Sequence, residues 1–181
     1  MKRLAFWGVT ALLCALAAYA GYRVMLHQIP LRAMDKAEAA IAKRAGGWNT
    51  MFHPPLPTDR TRTVVRPSPD QFYSACAYDV SEGPLVVEGR KPQGTYWSLS
   101  FFQHNTDVFF IVNDRQLASP TYRYVVIGDG EPVPEGVQDE QVIRSPSDTG
   151  IVIQRLFVDE GEALDTLDRQ RKTATCQALA S

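Results

Sequence analysis

The stretch Arg66-Pro67-Ser68-Pro69-Asp70-Gln71-Phe72-Tyr73-Ser74 places a guanidinium, a carboxylate and a phenol close together. An arginine is a fixed fork of donors suited to carboxylates and other planar anions. Arg66, Asp70 and Tyr73 are therefore candidate ligand-binding residues, and Asn105 and Asn113 are further polar groups that could converge on the same pocket. The competing structural reading has Asp70 capping the turn after Pro69 and Arg66 pairing with it to lock a strand start. No motif names a reaction, so catalytic residues stay unassigned and whether the chain is an enzyme stays open. There is no Gly-x-Ser-x-Gly elbow and no Gly-rich phosphate loop, and Cys76 has no neighbouring base in sequence. His27, His53 and His104 show neither His-x-His nor His-x-x-x-His spacing, so no metal and no cofactor is expected. His104, beside Asn105 and Asp107, reads as a hydrogen-bonded side chain before it reads as a ligand.

Positioning these residues requires a scaffold, and its first part is apolar. Leu4 to Tyr22 carries no charge, follows Lys2 and Arg3, and is long enough to cross a bilayer as a helix. Ala18-Tyr19-Ala20 would suit cleavage of a signal peptide. Apolar residues resume at Val24, Met25 and Leu26, however, and favour a retained anchor, with Arg23 snorkelling to the headgroups. The short amino-terminal tail predicts the amino terminus inside and the domain outside, since large domains translocate largely regardless of flanking charge. In a bacterial-type cell this is a single-pass inner-membrane protein with its domain on the periplasmic side. Leu31, Met34, Ala37, Ile41 and Ala45 then recur at helical spacing before Gly46-Gly47, predicting an amphipathic stalk helix. Pro54, Pro55 and Pro57 mark a stiff connection. The expected units are an anchor or signal over 1–26, a helix and Pro-rich connection over 27–60, and a β domain over 61–181.

Within the β domain, runs rich in Val, Ile, Phe and Tyr predict strands near 62–66, 72–80, 84–88, 94–104, 107–113, 122–127, 141–144 and 150–158. A closing helix is expected from Glu162 to Lys172, with acids early and bases late. The whole chain has net charge −1, but residues 1–45 hold seven Lys/Arg and two Asp/Glu, against twelve and eighteen in the rest. An acidic domain without a basic stripe argues against nucleic acid as a partner. Cys76 and Cys176 could pair if exported, yet Cys76 shares a face with Phe72, Tyr78 and Val80 and reads first as a small buried hydrophobe. Phe101-Phe102 and Phe109-Phe110 are adjacent pairs, so alternation predicts one ring of each facing outward. Phe102 and Phe110 are the candidate partner-binding residues of such an apolar patch.

The Arg66 to Ser74 stretch resembles the signature of the domain of unknown function 1254 family, an Arg-Pro-Asn-x-Asp-Thr-x-Tyr-Ser pattern that opens a strand. Ser68 and Gln71 stand where that pattern has asparagine and threonine. Gly94-Thr95-Tyr96-Trp97-Ser98-Leu99 and Asn105-Thr106-Asp107-Val108-Phe109 are similar to later family segments, as is Gly150 to Asp159. The resemblance implies an immunoglobulin-like β-sandwich over roughly residues 47–172. The family's domain is often followed by a second β domain, so the resemblance implies a partner polypeptide for this shorter chain. The expectation is a membrane-tethered envelope module that docks a second β domain or an envelope protein. The alternative is a small-ligand binder or enzyme around Arg66, Asp70 and Tyr73, its ligand unknown.

Overall fold

A computed structural model describes residues 2–62, 67–158 and 164–179. The chain opens with one long helix, α1 (Lys2–Ala45). Anchor and stalk, expected as two units, are continuous, and Pro30 lies inside the helix. A proline removes one ladder bond and favours a bend rather than an end when neighbouring turns are sound. The helix does end at the expected glycines. Gly46 takes φ 89, and the Gly47 amide donates to the Ala42 carbonyl at 2.9 Å, the six-to-one bond of a Schellman stop.

Eight strands follow: β1 (Gln71–Asp79), β2 (Leu85–Arg90), β3 (Trp97–Gln103), β4 (Val108–Asn113), β5 (Thr121–Gly128), β6 (Val142–Ser145), β7 (Thr149–Phe157) and β8 (Thr175–Ala178), with α2 (Leu164–Arg171) before β8. They form two four-stranded sheets, ordered β1-β7-β3-β4 and β6-β5-β2-β8. All pairings are antiparallel except β5 with β6. The inner faces share one core that includes Phe72, Tyr78, Leu85, Val87, Trp97, Leu99, Phe101, Val126 and Leu156. Trp97 of the first sheet meets Tyr122 of the second at 5.0 Å between ring centroids. The alternation expected in β3 holds: Trp97, Leu99 and Phe101 face inward, leaving Ser98 and Ser100 on the outer face. α1 crosses that outer face. Met34, Glu38 and Ala42 are its buried stripe, set against β1 and β7, in which Ala77 and Ile151 are also buried. Gly150 lets β7 approach closely, because a Cβ there would collide with the Phe102 carbonyl and the Tyr78 ring.

Three expectations are corrected. Cys76 and Cys176 form a disulfide. Cys76 is buried in the core as its face predicted, but β8, which was not anticipated, sets Cys176 opposite it from the other sheet. The bridge closes a separation of 100 residues, a constraint on the unfolded chain of about 4–5 kcal/mol in the entropy model. Phe110 does not face outward. A register shift between Phe101 and Phe102 marks a bulge in the β3–β4 ladder, and two successive residues of a bulged strand oppose one partner residue. Phe109 and Phe110 therefore both pack against Phe101, at 6.2 and 5.6 Å between centroids, and the exposed apolar residues of β4 are Val108 and Ile111. Finally, Thr175–Ala178 forms a strand where none was expected. The predicted strand at 62–66 lies largely, and the Glu162 start of the closing helix wholly, outside the described residues.

Candidate functional site at the junction of helix and sheet

Where α1 crosses the β3–β4 hairpin, a chain of polar groups runs from the core to the surface. Tyr78, fully buried, has its hydroxyl 2.8 Å from Ser145 Oγ. Ser145 Oγ donates to the Ser147 carbonyl and Ser147 Oγ to the Thr149 carbonyl. The His104 amide donates to Ser147 Oγ at 2.9 Å. The His104 ring then meets the helix: Nδ1 lies 3.2 Å from Glu38 Oε1 and 3.2 Å from Thr149 Oγ1, and Nε2 lies 3.4 Å from Asp35 Oδ1. Burial holds the Glu38 carboxyl above its ordinary range, with the His104 bond pulling the other way. Burial also pushes the Tyr78 phenol up to about 12, against the bonds to Ser145 and Ser147. One donor atom each from Asp35, Glu38 and His104 lies within 4.8 Å of the others.

A second buried polar centre sits where α2 closes against β1. Arg171 donates from Nη1 to the Tyr73 carbonyl, from Nη2 to the Pro54 carbonyl and from Nε to Asp168, each at 2.7 Å. Its guanidinium stacks 4.6 Å above the Phe72 ring. His53 Nδ1 sits 2.8 Å from Ser74 Oγ beside it. Burial and, next, the Arg171 charge hold the His53 pKa down. Ser74 is itself buried, which denies it to a substrate, so the resemblance to a serine-histidine pair carries no hydrolytic chemistry.

The residues singled out from sequence do not converge. Arg66 lies outside the described residues. The Asp70 carboxylate accepts from Ser68 Oγ, and the Tyr73 hydroxyl donates to Gln71 Oε1 while accepting from the Ser68 amide. Both serve the strand entrance. Asn105 bonds Asp107 within the β3–β4 turn, and Asn113 accepts the amides of Arg115 and Gln116 at the far end of β4, about 17 Å away at strand rise. Tyr73 and Asn113 share a cross-strand row, Tyr73–Arg155–Ser98–Asn113, but three strand spacings, about 14 Å, separate them. Asp70, Tyr73, Asn105 and Asn113 line none of the described clefts. Phe102 does fall on the outer face, half-buried, with the Arg155 guanidinium 6.0 Å from its ring.

Sequence reasoning missed Asp35 and Glu38. The signal was a glutamate inside an apolar helical stripe, between Met34 and Ile41, where a solvated charge does not belong. His104 stood out only as a lone histidine, because its partners come from an element 66 residues earlier.

Among curated proteins none matches the chain. Among solved structures it is similar to a protein from Vibrio parahaemolyticus, at 16% identity and TM-score 0.60, covering 85% of this chain and 37% of that one. It is also similar to an uncharacterized protein from Burkholderia cenocepacia, at 19% identity and TM-score 0.46, covering 91% of this chain and 41% of that one. The chain thus spans less than half the length of either, and the first likeness is one of fold. Residues 48–178, the whole of the two-sheet region with its entry segment, match the family described as Protein of unknown function (DUF1254), and the chain belongs to that family.

Proposed function

We propose that the chain is a membrane-tethered module of the bacterial cell envelope, held in the inner membrane by the first half of α1. Its immunoglobulin-like sandwich sits on the periplasmic side and docks a second β domain or a neighbouring envelope protein. The observation that carries this reading is the division of one helix. Its apolar portion is long enough to cross a membrane and nowhere buried inside the protein, with Leu4 82% and Trp7 68% exposed, while its last turns are seated on the sandwich. A helix that is apolar on every side requires lipid or protein around it. The Cys76–Cys176 disulfide supports an oxidising compartment. Docking is supported by Phe102, Val108 and Ile111 on the outer face of the first sheet. Val108 and Ile111 are each 51% exposed.

Alkaline carbonate washing of membranes should leave the full chain in the pellet, and protease added to intact spheroplasts should digest the sandwich. Release into the supernatant would refute the anchor, and protection of the sandwich would refute the orientation. For docking, a partner retained by the full chain in detergent should be lost from Ile111→Asp and from Phe102→Asp. Retention by both variants would refute that surface.

A further inference from the structure

We propose that Asp35 and His104 hold a divalent cation of the zinc class, with Glu38 as the buried carboxylate that orients the imidazole. A neutral imidazole has one N–H and one lone pair. Nδ1 faces Glu38, and when that carboxyl is ionised it can only accept, so Nδ1 then carries the hydrogen. Nε2 then turns its lone pair toward Asp35 Oδ1. Two acceptors face one another, and that arrangement requires a cation between them, either a proton or a metal ion.

The spacing suits a metal ion. A charge-assisted N–H···O bond closes to about 2.7–2.9 Å, whereas Nε2 and Oδ1 stand 3.4 Å apart. Two donors each about 2.1 Å from one tetrahedral ion are about 3.4 Å from each other. The carboxylate behind Nδ1 is the partner that metal-bound histidines commonly have, fixing tautomer and ring plane. The third donor atom lies within 4.8 Å of the other two.

Charge balance points the same way. Among the described residues, the ion pairs of Asp35 and Glu38 are with His104 alone, with no Lys or Arg. Two carboxylates thus gather on one imidazole, around a side chain only 3% exposed. Buried charge persists where it is paired or bound to metal. Asp35, 64% exposed at its side chain, leaves an entry path and room for water ligands. An imidazole with carboxylates suits zinc-class ions better than magnesium or calcium, which take oxygen ligands. The ion would staple α1 to the β3–β4 hairpin, whether or not the first half of α1 sits in a membrane.

The test uses the full chain in detergent, without an affinity tag, in a Cys14→Ser background and dialysed against chelator. Calorimetric titration with Zn2+ should give one saturable site per chain, and Mg2+ should give none. His104→Gln and Asp35→Asn should each weaken Zn2+ binding at least tenfold. Asp35 is exposed, so its variant tests the site even if His104→Gln loosens the fold. No saturable Zn2+ binding, or binding unchanged in Asp35→Asn, would overturn the proposal.

Discussion

Both helices close against the first sheet through a buried titratable side chain, and the protein treats the two groups differently. Arg171 on α2 is 1% exposed, and each of its three nitrogens has a placed acceptor. Glu38 on α1 is almost as buried, but its surroundings are an imidazole, a hydroxyl and a second carboxylate. A buried ion with every bond satisfied locks a fold, because removing one partner strands the rest. A buried ion that is under-compensated marks a place where another cation can be taken up. The contrast separates structural closure at α2 from a candidate site at α1.

The largest effect should come from the closed centre. Arg171→Met leaves the Tyr73 and Pro54 carbonyls without their donor and Asp168 with Lys172 alone, and should cost about 3–5 kcal/mol in chemical unfolding of the full chain. A cost below about 1 kcal/mol would erase the contrast. Glu38→Gln, which removes a poorly balanced charge and keeps the shape, should change stability at neutral pH by less than about 1 kcal/mol. A loss of several kcal/mol there would equate the two centres.

The two centres should also respond to pH in opposite senses. Glu38 has a raised folded pKa, so its contribution is full below the ordinary value of 4.5 and is lost as pH rises through the folded value. Wild type should therefore lose stability relative to Glu38→Gln as pH climbs from 4.5. His53, beside Arg171, has a lowered folded pKa, so stability is lost as pH falls below 6.5. His53→Asn should flatten that limb, and an unchanged slope would remove His53 as its cause. The smallest effect is a neutral control. Gln154 is buried in the first sheet with neither amide atom bonded, and Gln154→Leu should raise stability by about 1 kcal/mol.

Elements with strong local periodicity were legible. The predicted strand at 107–113 is β4 (Val108–Asn113), and that at 150–158 is β7 (Thr149–Phe157). Gly46 stops α1 where expected. β8 was not legible, because Thr175-Cys176-Gln177-Ala178 is short, half polar and at a sheet edge. Without it nothing set Cys176 opposite Cys76, so the pairing stayed the second reading. Phe110 turned inward because a single bulge shifts which residues share a face, and no alternation rule sees a bulge. Of the candidate site, only His104 drew notice, since spacing rules search within one segment and these donors come from two.

The sequence by itself determined the apolar helix, most of the strands and the family, because propensity, periodicity and signature residues are properties of short segments. Only the tertiary structure decided that α1 runs unbroken onto the first sheet, that Cys76 meets Cys176, and that Glu38 and Asp35 enclose His104. Those outcomes depend on how elements cross after long separations in the chain, where sheet register and helix docking choose among many pairings that the local sequence allows equally.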